Sequence, residues 1–194
     1  MRIVGGEARS RTLKAPSGMD TRPTLDQVRE ALFNILQFRV SDARVLDLYA
    51  GSGALALEAL SRGAKEAVLC DASREACKVI RQNIEALGYQ TRTRLLSMPD
   101  TRALSLLQAE HQQFDLIFLD PPYRMDTSGT MTVLLDGDML TDDARIIVEH
   151  SAKTPPKPDA RLECLSVRQY RDTCLSFFRR KQDGGEKMPV SGEL

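Results

Sequence analysis

The sequence predicts an α/β protein: a doubly wound, mostly parallel seven-stranded sheet, with a C-terminal antiparallel hairpin and a small N-terminal β-hairpin extension. Three observations carry this. From residue 44 onward, short apolar runs alternate with stretches of helical length, the pattern of repeated β–α–β units. The run "FDLIFLD" is apolar on consecutive positions, as expected for a central strand covered on both faces. The last two strand-like runs, "LECLSVRQY" and "TCLSFFRRK", are separated only by "RD", which reads as a hairpin turn adding an antiparallel pair at the sheet edge.

Residues 1–15 read as a strand "RIV", a turn at Gly5 and Gly6, and a second strand near "RTLKA". "PSGMDTRPT" is a loop by its Pro, Gly, Asp and Ser content. A helix follows, with Thr24 as N-cap and Val28, Leu32, Ile35 and Leu36 on its apolar face. The core then alternates strand "RVLDLYA", helix "ALALEALSRGA", strand "EAVLCDA", a helix over 74–87 ending at Gly88, strand "TRLLSM" and helix "TRALSLLQAE". Strand "FDLIFLD", a helix over 130–140 and strand "ARIIVEH" complete it, and the proline-rich "KTPPKP" leads into the final pair. Residues 183–194 lack periodicity and are expected to be a disordered tail. The organisation is therefore 1–43 as a basic extension, 44–182 as the core and 183–194 as the tail.

A chain of 194 residues can bury one full core. Lysine plus arginine (27) balances aspartate plus glutamate (27), so net charge gives no indication of a nucleic-acid partner. Local charge is more informative. Arg2, Arg9, Arg11 and Lys14 face Glu7 alone at one end, and Arg168, Arg171, Arg179, Arg180 and Lys181 face Asp172 alone at the other. The four cysteines lack a C-x-x-C spacing and are expected to be reduced thiols. His111 and His150 have no ligand spacing, and no metal is expected. The chain has no apolar run long enough for a membrane span and no signal-like start, so a cytoplasmic protein without a membrane partner is expected.

"DLYAGSGALALEAL" puts Asp47 at a strand end and Gly51 and Gly53 in a tight turn that opens a helix, where a Cβ would block close approach of a ligand. The third glycine of the dinucleotide fingerprint is missing, and Asp47 would repel a phosphate, so a cofactor without phosphate fits better. Asp71, at the next strand end, suits a ribose diol or an N-cap for the helix starting near Ser73. Asp100 suits an adenine amino group or a cap for the helix beginning at Thr101. In "FDLIFLDPPYR", Pro121 and Pro122 end the strand stiffly just after Asp120, and Tyr123 offers a flat face with a polar tip.

D-x-x-x-G-x-G at Asp47–Gly53, acids at Asp71 and Asp100, and D-P-P-Y at Asp120–Tyr123 resemble the S-adenosylmethionine-dependent amino-methyltransferases. "MRIVGGEARSRTLKAP", "TRPTLDQVREALFNIL", "VLDLYAGSGALALEALSRGA" and "FDLIFLDPPY" narrow the resemblance to the bacterial 16S rRNA guanine-N2 methyltransferase family, over most of residues 1–181. It implies a Rossmann-like methyltransferase fold, S-adenosyl-L-methionine as cofactor, and 16S rRNA or a small-subunit assembly intermediate as partner of a monomeric enzyme. Cofactor contacts would come from Asp47, Tyr49, Gly51, Ser52, Gly53, Asp71, Ala72, Asp100 and Asp120. Catalysis would rest on Asp120, Pro121, Pro122 and Tyr123, with the Asp120 side chain and the Pro121 carbonyl accepting the two protons of the guanine amino group. Tyr123 would stack on a flipped base. Arg9, Arg11, Arg22, Thr24 and Arg29 would meet RNA. The sequence departs from the family pattern in two places: Ser10 stands where the family has Gly, and Arg171 replaces the Gly of Tyr-Gly-Asp-Thr, which argues against a left-handed turn there. The alternatives are an N6-adenine or other nucleic-acid amino-methyltransferase, a non-catalytic RNA-binding assembly protein of the same fold, and an NAD-linked oxidoreductase, the last disfavoured by the absent glycine.

Overall fold

The computed structural model describes residues 1–17, 23–122 and 125–182, with residues 23–25 described in backbone only. Arg22, Tyr123, the side chain of Thr24 and the 183–194 tail lie outside the described residues. The helices are α1 (Pro23–Ile35), α2 (Ala54–Ser61), α3 (Arg74–Leu87), α4 (Asp100–Ala109) and α5 (Ser128–Asp136). The strands are β1 (Arg44–Asp47), β2 (Glu66–Asp71), β3 (Thr93–Ser97), β4 (Phe114–Leu119), β5 (Leu140–Ser151), β6 (Leu162–Tyr170) and β7 (Thr173–Arg180).

One seven-stranded sheet forms in the order β3-β2-β1-β4-β5-β7-β6. β1 to β5 are parallel, and β7 runs antiparallel to both β5 and β6. The chain builds outward from β1 to β3 and then returns to place β4 on the other side of β1. At such a switch point the carboxyl ends of neighbouring strands open into a crevice. Alternation along the central strands feeds two cores. Val45, Leu116 and Phe118 pack with the α1–α3 face, whereas Leu46, Ile117 and Leu119 pack with the α4–α5 face.

Several expectations are corrected. The N-terminal hairpin reduces to a single bridge, Arg2 to Thr12, flanked by Ile3 N–H to Arg11 C=O at 2.9 Å and Leu13 N–H to Met1 C=O at 3.0 Å. Its glycine turn packs against the end of α2. Gly6 has φ 75°, and a Cβ there would lie 1.8 Å from the Ser61 carbonyl oxygen. α1 begins at Pro23, so Thr24 falls inside the first turn; proline suits that first position because its missing N–H would be unpaired there anyway. Phe33, with its ring centroid 5.8 Å from that of Phe118, fills the face expected of Ile35, which is 43% exposed. The helix expected over 130–140 is α5, which stops at Asp136 because Gly137 and the left-handed Asp138 (φ 49°) turn the chain into β5.

Arg171 does adopt a left-handed conformation, at φ 57°, contrary to the expectation from its side chain. Tyr170 pairs with Thr173, and this tight link between twisted strands imposes a positive φ whatever residue occupies it. Ser10 does the same at φ 70°. Because the left-handed region costs an L-residue about 1–2 kcal/mol, partly offset by glycine's larger unfolded-state entropy, Arg171→Gly and Ser10→Gly should each stabilise by roughly 0.5–1 kcal/mol. Urea denaturation midpoints check this, and lowered midpoints would contradict it.

Candidate active site

The turn after β1 is held from beneath and from the side. Gly51 (φ 55°) and Gly53 (φ 78°) are both left-handed. A Cβ on Gly53 would come within 3.0 Å of the Leu69 side chain, so packing under the loop itself requires this glycine. The Gly51 N–H donates to Asp71 Oδ2 at 2.9 Å, and Asp71 Oδ1 accepts from the Ser73 N–H at 2.8 Å. Ser73 itself caps α3, accepting from the Ala76 N–H, so Asp71 is not the cap; it ties the glycine turn to β2. Asp100 is the first residue of α4, and its Oδ2 accepts from the Tyr49 hydroxyl at 2.8 Å.

Asp47 is buried at the end of β1. One oxygen accepts from the Ala56 N–H at 3.2 Å, and the other has no hydrogen-bond partner among the described residues. Burial, with a smaller push from the Asp120 and Asp71 charges, raises its pKa to about 7 despite the Ala56 N–H. A buried carboxyl with a free oxygen in such a field is a place for a cation.

A cavity of about 250 Å³ opens here. It gathers Asp47, Tyr49, Gly51, Ser52 and Asp120 from the expected cofactor set. Gly53, Asp71, Ala72 and Asp100 are not among the described residues lining it. The N-terminal segment, through Met1, and α1, through Arg29, close its far side. Glu58 of α2, fully buried, docks that segment: it accepts from the Val4 and Gly5 N–H groups, each at 2.8 Å, and from Arg62 Nε at 2.7 Å, with Arg29 Nε at 3.5 Å. Asn83 of α3 adds a clamp, donating to the Lys14 and Ser52 carbonyls and accepting from the Lys14 N–H.

A second cavity of about 290 Å³ lies beyond β4, walled by Pro121, Pro122, His150, Pro155 and Lys157. Asp120 and Glu149 line both cavities. They sit side by side because Leu119 of β4 pairs with Val148 of β5. Asp120 is solvent-exposed where it faces the two spaces, and the protein packed around it holds its pKa above the usual carboxylate range. Burial, then the Asp120 charge, raises Glu149 as well. Glu149 was missed from sequence, although "RIIVE" repeats the signal of "VLD", "VLCD" and "IFLD", an acid closing an apolar run. His150 is not free: Nδ1 contacts the Ser151 carbonyl and Nε2 the Ser176 hydroxyl.

Of the expected RNA contacts, Arg9 and Arg11 are exposed, with Arg11 also donating to the Ala86 carbonyl. Arg29 is corrected: it is 4% exposed and is bound by Asp26, Glu58 and the Arg2 carbonyl, so it braces the cofactor cavity from within. A guanidinium spent on buried partners cannot also grip phosphate.

The family described as "Conserved hypothetical protein 95" matches residues 1–179. The Escherichia coli (strain K12) ribosomal RNA small subunit methyltransferase D is 39% identical over 150 residues, covering 77% of this chain and 74% of the relative. This chain belongs to the S-adenosylmethionine-dependent class I rRNA methyltransferase family. YlbH of Bacillus subtilis (strain 168) is 36% identical over 183 residues, covering 93% of the chain and 100% of the relative. The solved structure of yhhF from Escherichia coli superposes with a TM-score of 0.81 at 34% identity, covering 93% of this chain and 98% of that one.

The family's cofactor fits the cavity. It carries a sulfonium and an ammonium, and the cavity offers Asp47, one of whose oxygens is unpartnered among the described residues, and Asp120. The sign of Asp47's effect on stability follows from its raised pKa. The unfolded chain ionises near pH 3.8, while the folded one holds its proton to about pH 7, so stability falls across that interval and stays lower above it. Asp47→Asn should therefore stabilise the cofactor-free protein at pH 8, on the order of 1–3 kcal/mol, change little at pH 4, and weaken cofactor binding. Equal denaturation midpoints of variant and parent at pH 8 would contradict this.

Proposed function

We propose that this methyltransferase acts on the exocyclic N2 of a guanine in 16S rRNA, as free RNA or in a small-subunit assembly intermediate, as a cytoplasmic monomer. One observation carries the proposal: Asp120 stands where two cavities meet, one walled by the glycine turn and the other by the loop after β5. A donor in the first and an amino group in the second would face each other across this carboxylate.

When bound, S-adenosylmethionine supplies a methyl group made electrophilic by the sulfonium. Asp47, Tyr49, Gly51 and Ser52 line its cavity, and Asp71, outside that lining, steadies the turn by accepting from the Gly51 N–H. The guanine N2 lone pair is delocalised into the ring, so the amino group needs orientation. Asp120 and the Pro121 carbonyl accept hydrogen bonds from its two N–H groups and aim the lone pair for in-line transfer; S-adenosylhomocysteine leaves, and the Asp120 carboxylate takes the one proton that the methylated nitrogen loses. The two prolines limit backbone motion of those acceptors. Tyr123 stacks on the flipped base, and Arg9, Arg11 and Arg22 hold phosphates.

Incubation with methyl-labelled S-adenosylmethionine and small-subunit particles from cells lacking the protein should yield labelled N2-methylguanosine on nucleoside analysis. Labelled N6-methyladenosine would favour the adenine alternative, and no transfer would favour the assembly-protein alternative. Replacing Arg9, Arg11 and Arg22 with alanine should weaken RNA binding and flatten its salt dependence by about one unit of slope per lost phosphate contact, with cofactor affinity unchanged. Unchanged affinity and slope would remove these residues from the interface.

A further inference from the structure

Glu149 is not accounted for by the amino-group chemistry of Asp120, yet it shares both cavities with it. We propose that Glu149 is a specificity-determining residue, accepting the ring N1–H of the target guanine while Asp120 accepts from N2. This rests on the guanine-N2 reading above.

The pairing of Leu119 with Val148 brings the two carboxyl groups to adjacent strand ends, so the base cavity has an acid-lined wall at its junction with the cofactor cavity. Among the described residues, neither side chain has a hydrogen bond or an ion pair of its own. The adjacent His150 ring is committed to Ser151 and Ser176. An ionised carboxylate only accepts hydrogen bonds. The Watson–Crick edge of guanine offers contiguous donors, N1–H beside the N2 amino group, and so matches two neighbouring acceptors. Adenine presents one amino group beside a bare N1 lone pair, which would face the second carboxylate and leave it unpaired in a desolvated site. Burial, then the Asp120 charge, favours the protonated form of Glu149, and arriving N–H donors favour the ionised form.

The test uses 16S rRNA built by splinted ligation with guanine, 2-aminopurine or adenine at the modified position, reconstituted into particles, with single-turnover methylation measured for the full-length wild type and Glu149→Gln. 2-Aminopurine keeps the amino group but lacks N1–H. The wild type should prefer guanine over 2-aminopurine by about tenfold or more. Glu149→Gln should slow the guanine reaction by about tenfold and narrow that preference to within about threefold, because a side-chain amide can donate to the bare N1. Its affinity for S-adenosylhomocysteine, by calorimetry, should stay within about threefold of wild type. A variant that keeps the wild-type preference overturns the proposal, as does one whose S-adenosylhomocysteine affinity falls in step with its rate. Should Glu149→Gln fail to fold, equal wild-type rates on guanine and 2-aminopurine would overturn it equally well. Failure of the underlying reading is distinct: the wild type would then form no N2-methylguanosine on the guanine substrate.

Discussion

Asp120→Ala should lower the single-turnover rate of methyl transfer by about a hundredfold to a thousandfold while leaving the fold and the affinity for RNA near wild type. The residue lies just past the end of β4, Pro121 and Pro122 still direct the chain outward, and no described residue depends on its side chain for a hydrogen bond. What is lost is an acceptor whose value is greatest when the amino lone pair is turned toward the methyl group. Because Asp120 also crowds Asp47 and Glu149 electrostatically, removing it should bring both of their pKa values down. A folded Asp120→Ala protein with an undiminished rate would remove Asp120 from the chemistry.

Glu58→Ala should destabilise the protein by about 3–5 kcal/mol, the range for breaking one partner out of a buried charged network. The substitution leaves the Val4 and Gly5 N–H groups without their acceptor and strips the buried Arg29 and the largely buried Arg62 of a shared carboxylate. The N-terminal segment would then be held on α2 through Ser61, which bonds Gly5, Glu7 and Ala8, without the Glu58 carboxylate. Since Met1 and Arg29 wall the cofactor cavity, S-adenosylhomocysteine should bind more weakly, and trypsin should cut more readily at Arg9 and Arg11. Urea denaturation showing a loss below about 1 kcal/mol would mean that the Ser61 and Asn83 hydrogen bonds and apolar contacts dock the segment without Glu58.

The core was legible because each of its signals is local. The run "FDLIFLD" feeds both cores by alternation, and α3 ends at the Gly88 anticipated from sequence, in a left-handed conformation at φ 75°. The glycine turn and the strand-end acids were legible as positions, but not all as roles. Asp71, expected as a ligand or a cap, is not the cap and holds the Gly51 N–H, while Gly53 packs against Leu69 beneath it. These outcomes depend on neighbours distant in the chain, which no spacing reveals. Arg29 and Glu58 show the same limit more strongly. A helix arginine near a basic terminus reads as a phosphate contact, and only the folded chain brings a buried glutamate from 29 residues further along to claim it. Glu149 was legible in principle, since it repeats the strand-end acid, but its importance comes from β5 lying next to β4 in the sheet order.

Joining of the methyl donor and a guanine amino group at Asp120, as proposed, would favour a bisubstrate ligand in which the adenosyl portion of the cofactor is tethered to N2 of guanosine. Isothermal calorimetry should show this ligand binding about a hundredfold or more tightly than S-adenosylhomocysteine, with most of that gain absent in Asp120→Ala. Affinity no better than that of S-adenosylhomocysteine, or a larger gain for the corresponding ligand tethered to N6 of adenosine, would contradict it.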